Sequence, residues 1–280
     1  METTVYNGNA LSLNTAFTKK ILTDFIRDET HHAGFSKAVV GLSGGVDSAV
    51  SAFLAAETLG KENVLAVMMP YKTSSPASKT DAESVVKALG IRSETADITS
   101  AADAVFAQQR IHDNVRKGNV MARVRMIMLY DYSIREKALV IGTSNKTETL
   151  LGYGTLFGDM ACALNPLGDL YKTQVWELAE SLGVPETIVK KKPTADLWVG
   201  QTDEDELGFS YKNVDRLLFA MVDERRSDEE LKQLGFAKDF IVAVRKRVRH
   251  NQFKRRLPLV AKVSYRTVNV DFRYVRDWGI

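Results

Sequence analysis

The sequence has very few of the residues that form covalent or metal cross-links. It has one cysteine, Cys162, and four histidines, His31, His32, His112 and His250. A single cysteine excludes an internal disulfide, a Cys-x-x-Cys motif and a cysteine-based zinc cluster. The spacing of the histidines matches no zinc site. The fold must therefore be held together by its packed core.

Long apolar runs and a strong excess of one charge are also missing. No apolar stretch approaches the length of a membrane span, and residues 1–7 lack the apolar core of a signal peptide. The 38 Lys and Arg residues nearly balance the 35 Asp and Glu residues, so the net charge is +3 and the isoelectric point is near 8.8. This mild basicity does not by itself indicate nucleic-acid binding. We predict a cytoplasmic protein without a membrane or nucleic-acid partner.

Apolar residues, in contrast, are plentiful. They make up 45% of the 280 residues, which is enough for one large α/β domain or two small ones. No internal repeat and no low-complexity linker divides the chain. We predict a single domain over residues 1–280.

Short apolar runs alternate with helical periodicity in the first half of the chain. Strands are predicted at 37–42, 63–69 and 138–142, with a weaker strand at 93–98. Helices are predicted at 14–30, 46–59, 80–89 and 119–136, with a further helix ending near 109. Beyond about residue 172 the pattern is mostly helix and loop. This order predicts a doubly wound parallel sheet flanked by helices, followed by a helical C-terminal part.

Apolar spacing also predicts which helix faces are buried. In the first helix, Phe17, Ile21 and Phe25 recur at helical spacing. In the long helix that Gly118 and Asn119 open, the residues predicted to face the core are Val120, Val124, Ile127 and Met128.

The most informative segment is residues 41–48, Gly-Leu-Ser-Gly-Gly-Val-Asp-Ser, between a predicted strand and a predicted helix. A helix N-terminus offers free backbone N–H groups and the positive end of a dipole, so it favours phosphate. Gly44 and Gly45 allow close backbone approach and positive φ, while Ser43 and Ser48 add hydroxyl donors. The segment predicts a pyrophosphate-binding loop.

Asp47 distinguishes this loop from the mononucleotide P-loop. That motif reads G-x-x-x-x-G-K-[ST], whereas Asp47 stands here at the position of the lysine. A carboxylate beside bound phosphate is favourable only when Mg²⁺ bridges the two. We therefore predict that Asp47 holds Mg²⁺. The simpler alternative, an ordinary strand-to-helix turn, does not account for the whole S-G-G-x-D-S pattern.

A second acidic side chain follows another predicted strand. Residues 142–148 come directly after the strand 138–142, and Glu148 lies one helical turn beyond its end. Ligands of such sheets bind beyond the carboxyl ends of the strands. Asp47 and Glu148 could therefore share one Mg²⁺. Taken alone, Glu148 could equally be a capping or solvent-exposed glutamate.

Residues 41–48 resemble the loop of the N-type ATP pyrophosphatases. These enzymes adenylate a carbonyl oxygen, release pyrophosphate and let a nitrogen or sulfur nucleophile displace AMP. Further segments resemble the NAD synthetase family. They are residues 118–126, 142–148, 157–159, 170–173, 191–197, 203–208 and 253–258. The matches run in order from about 38 to 258, and their joint occurrence is far more specific than any one of them.

The resemblance implies a function and a fold of the adenine nucleotide alpha-hydrolase type. ATP would adenylate the nicotinate carboxylate of deamido-NAD, and ammonia would displace AMP to give NAD. ATP contacts would come from Gly41, Ser43, Gly44, Gly45, Asp47, Ser48, Thr143, Lys172 and Thr194, and Mg²⁺ would be held by Asp47 and Glu148. Deamido-NAD would be contacted by Arg123 and Lys254.

The resemblance also bears on catalysis and assembly. The residues expected to act in catalysis are Asp47, Lys172 and Asp159. Asp159 would orient ammonia or take its proton, and the alternative is a carboxylate that braces its loop. The family is usually homodimeric, and the N-terminal helix would suit such an interface.

Three positions depart from the pattern of many ammonia-using members. Leu156 and Ala163 stand where a lysine and an aspartate contact deamido-NAD, and Phe253 stands where a histidine is common. The amino-acid sequence around Gly158 resembles instead that of the synthetase domain of glutamine-dependent members. Deamido-NAD would then be held by other contacts, or the substrate would be a relative of it.

The nitrogen donor is predicted to be ammonia. About 36 residues precede the first strand, whereas a nitrilase-like amidase needs a domain of its own, on the order of 200 residues. Cys162 lies inside a synthetase motif and is a poor candidate nucleophile. Ammonia would come from solution or from a separate glutaminase.

Other functions stay open at the level of sequence. One is another ATP pyrophosphatase, tRNA-modifying or GMP-forming, and another is a nucleotide-binding protein without catalysis. The basic residues between Arg245 and Arg256 would suit an RNA-binding helix, but no aromatic ladder accompanies them. The absence of a cysteine pair argues against sulfur transfer, and Asp47, Glu148 and Lys172 argue against a loss of catalysis.

Overall fold

The computed structural model describes residues 11–194, 196–198, 200–256 and 258–267. Its strands are β1 (Ala38–Gly41), β2 (Val64–Met68), β3 (Arg92–Thr95) and β4 (Leu139–Ile141). They form a parallel sheet in the order β3-β2-β1-β4, with Ala38 aligned to Val64 on one side and to Leu139 on the other. The predicted parallel α/β sheet is confirmed.

Helices fill the connections between the strands and recur along the chain after them. Up to β4 they are α1 (Thr15–His32), α2 (Val46–Leu59), α3 (Pro76–Leu89), α4 (Thr99–Gln108) and α5 (Asn114–Glu136). After β4 they are α6 (Lys146–Leu151), α7 (Lys172–Leu182), α8 (Glu186–Val189), α9 (Asp203–Leu207), α10 (Tyr211–Leu218), α11 (Asp228–Gln233) and α12 (Lys238–His250). The predicted helical C-terminal part is therefore confirmed.

The order of the strands reverses beside β1. The chain passes from β1 to β2 and β3 in one direction, and β4 then returns to the other side of β1. The loops that follow β1 and β4 therefore diverge and leave a crevice at the carboxyl edge of the sheet. This switch point is where ligands bind in such folds, and it lies between the segments 42–45 and 142–145.

Residues of the strands alternate between two buried faces. Ala38 and Val40 of β1 pack into a cluster with α1, α2, α3 and α7, whereas Val39 packs against α5 on the opposite face. Both faces of the sheet are thus covered by helices, which explains why β1, β2 and β4 are almost continuously apolar. The edge strand β3 (Arg92–Thr95) is instead polar and largely exposed. A separate apolar cluster joins α6 to α9, α10, α11 and α12.

Two helices begin earlier than the sequence pattern predicts. Pro76 occupies the first turn of α3, a position where its missing N–H costs nothing. Asp113 caps α5 by accepting a hydrogen bond from the Arg116 amide at 2.8 Å, so Gly118 lies inside the helix. A Cβ at Gly118 would come within 2.8 Å of Leu197, so glycine serves close packing there and not helix initiation.

Two predictions of buried helix faces are wrong. Ile127 of α5 is 57% exposed, and Ile21 of α1 is 42% exposed. In α1 the buried stripe runs through Leu22, Phe25 and Ile26, one residue further round the helix than predicted. Among the described residues, no helix combines the length and the apolar character needed to cross a bilayer.

Candidate active site

A cleft of about 730 Å³ opens at the carboxyl edge of the sheet, at the switch point. Its walls come from the loop after β1, the loop after β4, the segment 152–159 and the segments 191–194 and 196–198. The predicted site residues that line it are Gly41, Ser43, Gly45, Asp47, Ser48, Thr143, Glu148, Asp159, Lys172, Thr194 and Lys254. Gly44 and Arg123 lie just outside this lining. The structure thus brings together side chains that are far apart in the sequence.

The loop between β1 and α2 is held by its own serines. The Ser48 hydroxyl donates to Gly45 O at 2.9 Å and accepts from the Ser43 amide at 3.2 Å. Ser43 Oγ lies 3.1 Å from Ser48 Oγ. Gly45 caps α2 without any side-chain hydrogen bond, so no capping side chain covers the first amides of this 14-residue helix. The residues of its first turn, Val46, Asp47 and Ser48, line the cleft. Such amides favour an anion.

Gly44 is required by the path of this loop. Its φ is +79°, and a Cβ there would lie only 2.1 Å from Ser78 O at the start of α3. Any side chain would push the loop away from α3 and disturb the amides of α2. The prediction of positive φ and close backbone approach is therefore correct for Gly44, although the close neighbour is protein backbone. The prediction of positive φ is wrong for Gly45, whose φ is −96°.

Asp47, Glu148 and Lys172 meet at the floor of the cleft. Asp47 lies in the first turn of α2, Glu148 in α6 and Lys172 at the start of α7. Lys172 Nζ contacts Asp47 Oδ2 and lies 3.4 Å from Glu148 Oε1, and the lysine side chain is only 3% exposed. Its ammonium also lies 5.3 Å from the centroid of the Tyr211 ring. Two carboxylates therefore share one buried cation.

Asn145 holds the two carboxylates in place. Its amide nitrogen donates to Asp47 Oδ1 at 2.9 Å, and its amide oxygen accepts from the Glu148 backbone at 2.9 Å. Glu148 Oε2 in turn accepts from the Asn145 backbone at 3.3 Å, which completes a capping box at the start of α6. Asn145 is fully buried. The sequence analysis gave Asn145 no role, although an asparagine three residues before a glutamate is a recognisable helix start.

The electrostatics of this cluster favour an additional cation. Burial raises the pKa of Glu148 to about 8, with Asp47 adding to the shift and Lys172 opposing it. Burial also opposes the charge on Lys172, but the carboxylates of Asp47, Glu148 and Asp203 outweigh this effect and raise its pKa. Two carboxylates facing one ammonium are short of positive charge, which a divalent cation would supply.

The carboxylate oxygens of Asp47 and Glu148 fit Mg²⁺ if a phosphorylated ligand supplies the other oxygens. Carboxylate oxygens are the ligands this ion prefers, and it is commonly bound by one or two carboxylates together with substrate phosphates. In the described part of the chain, no cluster of three or more His, Cys, Asp or Glu side chains is suited to a metal ion. A site built from Asp47 and Glu148 would thus need oxygens from a phosphorylated ligand.

Asp159 lies in the segment that forms the opposite wall. Its Oδ1 accepts a hydrogen bond from the Thr155 amide at 2.7 Å, and the side chain borders the cleft. The surrounding protein raises the pKa of the Asp159 carboxyl by desolvation, against the hydrogen bonds that stabilise its charge. Asp159 therefore braces its own loop and also lines the cleft.

Arg123 and Lys254 hold the wall of the cleft. Arg123 donates through Nε and Nη2 to Leu156 O, both at 3.3 Å. Lys254 Nζ donates to Gly152 O at 2.8 Å and to Gly154 O at 2.7 Å. Both cations thus position the segment 152–156 through its carbonyl groups.

Two further residues of the cleft were missed by the sequence analysis. Arg125 donates to Met69 O at 3.0 Å, and burial lowers its pKa. Asp203 is 4% exposed and accepts hydrogen bonds from Tyr153 at 3.0 Å and Tyr211 at 3.1 Å. Arg125 lies four residues after the buried Met121, and a charged residue on a buried stripe is the signal that would have found it.

Comparison with known proteins connects this geometry to a family. The model of the family described as NAD synthase matches residues 18–258. The chain belongs to the NAD synthase family. It is 55% identical over 269 residues to the NH(3)-dependent NAD(+) synthetase of Trichlorobacter lovleyi, covering 96% of this chain and 98% of that protein.

Two solved structures of family members have the same fold. The NH3-dependent NAD synthetase from Campylobacter jejuni, in complex with the nitrate ion, superposes with a TM-score of 0.78 at 37% identity, covering 89% of this chain and 100% of that one. The NMN synthetase from Francisella tularensis gives a TM-score of 0.79 at 34% identity, covering 89% and 99%. The predicted family is confirmed, and the tRNA-modifying, GMP-forming and non-catalytic alternatives are not favoured.

The positions that depart from the pattern of many NAD synthetases have structural roles here. Leu156 supplies the carbonyl that Arg123 binds. The Ala163 amide donates to Val140 O at 2.9 Å, which ties its segment alongside β4. Both roles use backbone atoms, so they do not depend on the side chain at either position.

Proposed function

We propose that this chain catalyses the amidation of deamido-NAD with ammonia, at the expense of ATP, to give NAD, AMP and pyrophosphate. The observation that carries the proposal is the convergence of Asp47, Glu148 and Lys172 beneath the amides of α2. Family membership and high identity to proteins named NH(3)-dependent NAD(+) synthetase support a ligase that forms a C–N bond. The reaction would take place in the cytoplasm.

ATP would lie across the switch point with its phosphates on the loop after β1. The amides at Gly44 and Gly45 and the hydroxyls of Ser43 and Ser48 would bind phosphate oxygens. Further contacts would come from residues placed around the same cleft, Gly41, Thr143, Lys172 and Thr194. Lys172 would exchange its carboxylate partners for phosphate oxygens when the nucleotide arrives.

Asp47 and Glu148 would hold Mg²⁺ together with the phosphates of ATP. When bound there, the ion neutralises phosphate charge and helps pyrophosphate to leave. Asn145 keeps both carboxylates oriented toward the same point of the cleft. Because each carboxylate is already fixed by hydrogen bonds, little reorganisation is needed when the ligands enter.

The chemistry then proceeds in two displacements. A carboxylate oxygen of the nicotinate attacks the α-phosphorus of ATP, and the bond to pyrophosphate breaks. The nitrogen of ammonia attacks the acyl carbon, AMP leaves with the bonding electron pair, and one proton passes from nitrogen to Asp159. Lys172 stabilises the negative charge that develops on the phosphates, which is the kind of contact that contributes most to such reactions.

The nitrogen donor provides the direct test of this function. The purified chain with ATP, Mg²⁺ and deamido-NAD is expected to form NAD, AMP and pyrophosphate when ammonium is supplied, and not when glutamine is the sole donor. The reason is that Cys162 is a poor nucleophile, since burial raises the pKa of its thiol. Glutamine-driven rates comparable to those with ammonium would contradict the proposal. Addition of a separate glutaminase should restore turnover with glutamine.

A second acyl substrate is favoured by one observation. Leu156 and Ala163 offer no charged pair for contacts to deamido-NAD, and one structural relative is named NMN synthetase. Nicotinate mononucleotide is therefore the competing substrate. The same assay can compare kcat/KM for deamido-NAD with kcat/KM for nicotinate mononucleotide. We expect the value for deamido-NAD to be the higher one.

Arg123 is expected to act on the dinucleotide and not on ATP. Arg123→Ala should raise the KM for deamido-NAD about tenfold or more and leave the KM for ATP nearly unchanged. A contact that binds the substrate equally well in the ground state and in the transition state changes mainly KM when it is lost. Arg123 binds Leu156 O in the segment 152–156, which is separate from the loop 43–48. Steady-state kinetics with each substrate varied in turn would measure both constants. A loss of ATP affinity alone would show that the substrate pocket lies elsewhere.

A homodimer would cover an apolar face of α5. Ile127, Tyr130 and Ile134 lie three to four residues apart on this helix and are 57%, 38% and 81% exposed. Arg123 lies one turn before them on the same helix. On α1, by comparison, Ile21 is the one exposed large apolar residue, so α5 presents the larger apolar face for an interface. Sedimentation of the purified chain tests the dimer.

A further inference from the structure

A buried aspartate outside the cleft is connected to both sides of the cation cluster. Asp215 lies on α10, is fully buried and does not line the cleft. Its Oδ1 accepts a hydrogen bond from the Thr147 hydroxyl at 2.6 Å. Its Oδ2 accepts from the Thr173 amide and from the Thr173 hydroxyl, both at 2.8 Å. Three donors on two helices therefore converge on one carboxylate.

The hydrogen bonds of Thr147 fix the direction of its hydroxyl proton. Thr147 Oγ1 accepts a hydrogen bond from the Lys172 amide at 2.9 Å. The Lys172 amide can only donate to this oxygen, and the Asp215 carboxylate accepts from it, so the proton of the hydroxyl points to Asp215. The side chain of Thr147 thereby links the backbone of Lys172 to the carboxylate of Asp215.

The partners of Asp215 are the immediate neighbours of the cluster residues. Thr147 precedes Glu148 in α6, and Thr173 follows Lys172 in α7. We propose that Asp215 is a positioning residue, which clamps the first turns of α6 and α7 and so sets how the Glu148 carboxylate and the Lys172 ammonium face the nucleotide. The inference rests on the proposed function of these two side chains.

The chemistry of the site explains why a carboxylate is used. All three groups that face Asp215 are donors, and none of them is charged. An asparagine side chain in place of Asp215 would direct an N–H group at one of these donors. A buried polar group would then lack a hydrogen-bond partner, which lowers the stability of the fold. Burying a carboxylate among neutral partners is itself unfavourable. Its cost is offset by three hydrogen bonds that hold two helices in register.

The test uses the threonine that links Asp215 to Lys172. Thr147→Val keeps the shape of the side chain but removes both of its hydrogen bonds. We expect kcat to fall about tenfold or more and the KM for Mg·ATP to rise, because small displacements of catalytic groups have large effects on rate. The KM for deamido-NAD should stay within about twofold. Thr147→Ser keeps the hydroxyl and should restore kcat to within about threefold of the wild type.

A matched control separates positioning from general destabilisation. Thr58→Val removes a threonine hydroxyl that donates to Leu54 O at 2.7 Å near the end of α2, far from the cleft. It should lower the melting temperature without changing kcat. If Thr147→Val likewise lowers only the melting temperature, and the folded protein keeps the kcat of the wild type, Asp215 has no positioning role.

Two further variants keep the inference testable if Thr147→Val does not fold. Thr173→Val removes one donor and keeps the backbone hydrogen bond, so kcat should fall less than in Thr147→Val. Asp215→Asn should lower kcat in the same manner as Thr147→Val, and an unchanged kcat in either variant contradicts the proposal.

If Lys172 and Glu148 variants are as active as the wild type, the proposed function itself fails. If those variants lose activity and the Thr147 and Thr173 variants do not, only the inference about Asp215 fails.

Discussion

Replacing Asp47 with asparagine is expected to lower kcat for NAD formation about a hundredfold or more, the effect of losing one strong electrostatic contact at the reacting centre. Asparagine keeps the size of the side chain but removes the charge that faces Lys172 and the bound phosphates. Glu148→Gln should behave in the same way, because both carboxylates would hold the same ion. Each variant should also need more Mg²⁺ for half-maximal rate. Initial rates over a series of Mg²⁺ concentrations measure both effects.

A surface variant provides the control for this experiment. Asp24→Asn removes a carboxylate of α1 that pairs with Lys20 and Arg27 at the protein surface. Asp24 does not line the cleft and its ion pairs are exposed, so this change should leave kcat nearly unaltered. If Asp47→Asn and Glu148→Gln keep normal activity and normal Mg²⁺ dependence, the site formed by the two carboxylates is wrong.

Replacing Lys172 with methionine should lower kcat by a similar factor, about a hundredfold or more, since the buried ammonium would no longer face the phosphates. The variant should also acquire a new property in the absence of nucleotide. Asp47 and Glu148 would be left without their shared cation, so Mg²⁺ alone should bind between them. We expect Mg²⁺ to raise the melting temperature of Lys172→Met more than that of the wild type.

This second measurement does not depend on turnover. A thermal melt with and without Mg²⁺ can be recorded even when the variant is inactive. Lys20→Met serves as the matched control, since Lys20 is exposed and pairs only at the surface of α1. Equal effects of Mg²⁺ on Lys172→Met and on the wild type would mean that the two carboxylates do not form a cation site.

The sheet and the phosphate loop could be predicted because their signals are local. Continuous apolar runs with helical segments between them indicate parallel strands covered on both faces. The loop 41–48 combines two glycines, two serines and one aspartate within eight residues, a pattern that few other structures would produce. The rotation of α1 and α5 was harder to predict, because several apolar residues in each helix compete for the core. Ile21 and Ile127 were assigned to the core and are exposed.

The sequence by itself thus determined the class of fold, the nucleotide loop and, through the joint occurrence of motifs, the family. Most of the site residues that it named line the cleft. Only the tertiary structure decided how these residues act on one another. Lys172 meets a carboxylate 125 residues away, and Asp215 accepts hydrogen bonds from a threonine 68 residues away and from a second one on α7. Such contacts depend on how α6, α7 and α10 pack over the sheet, and that packing is set by long-range burial, which leaves no local pattern in the chain.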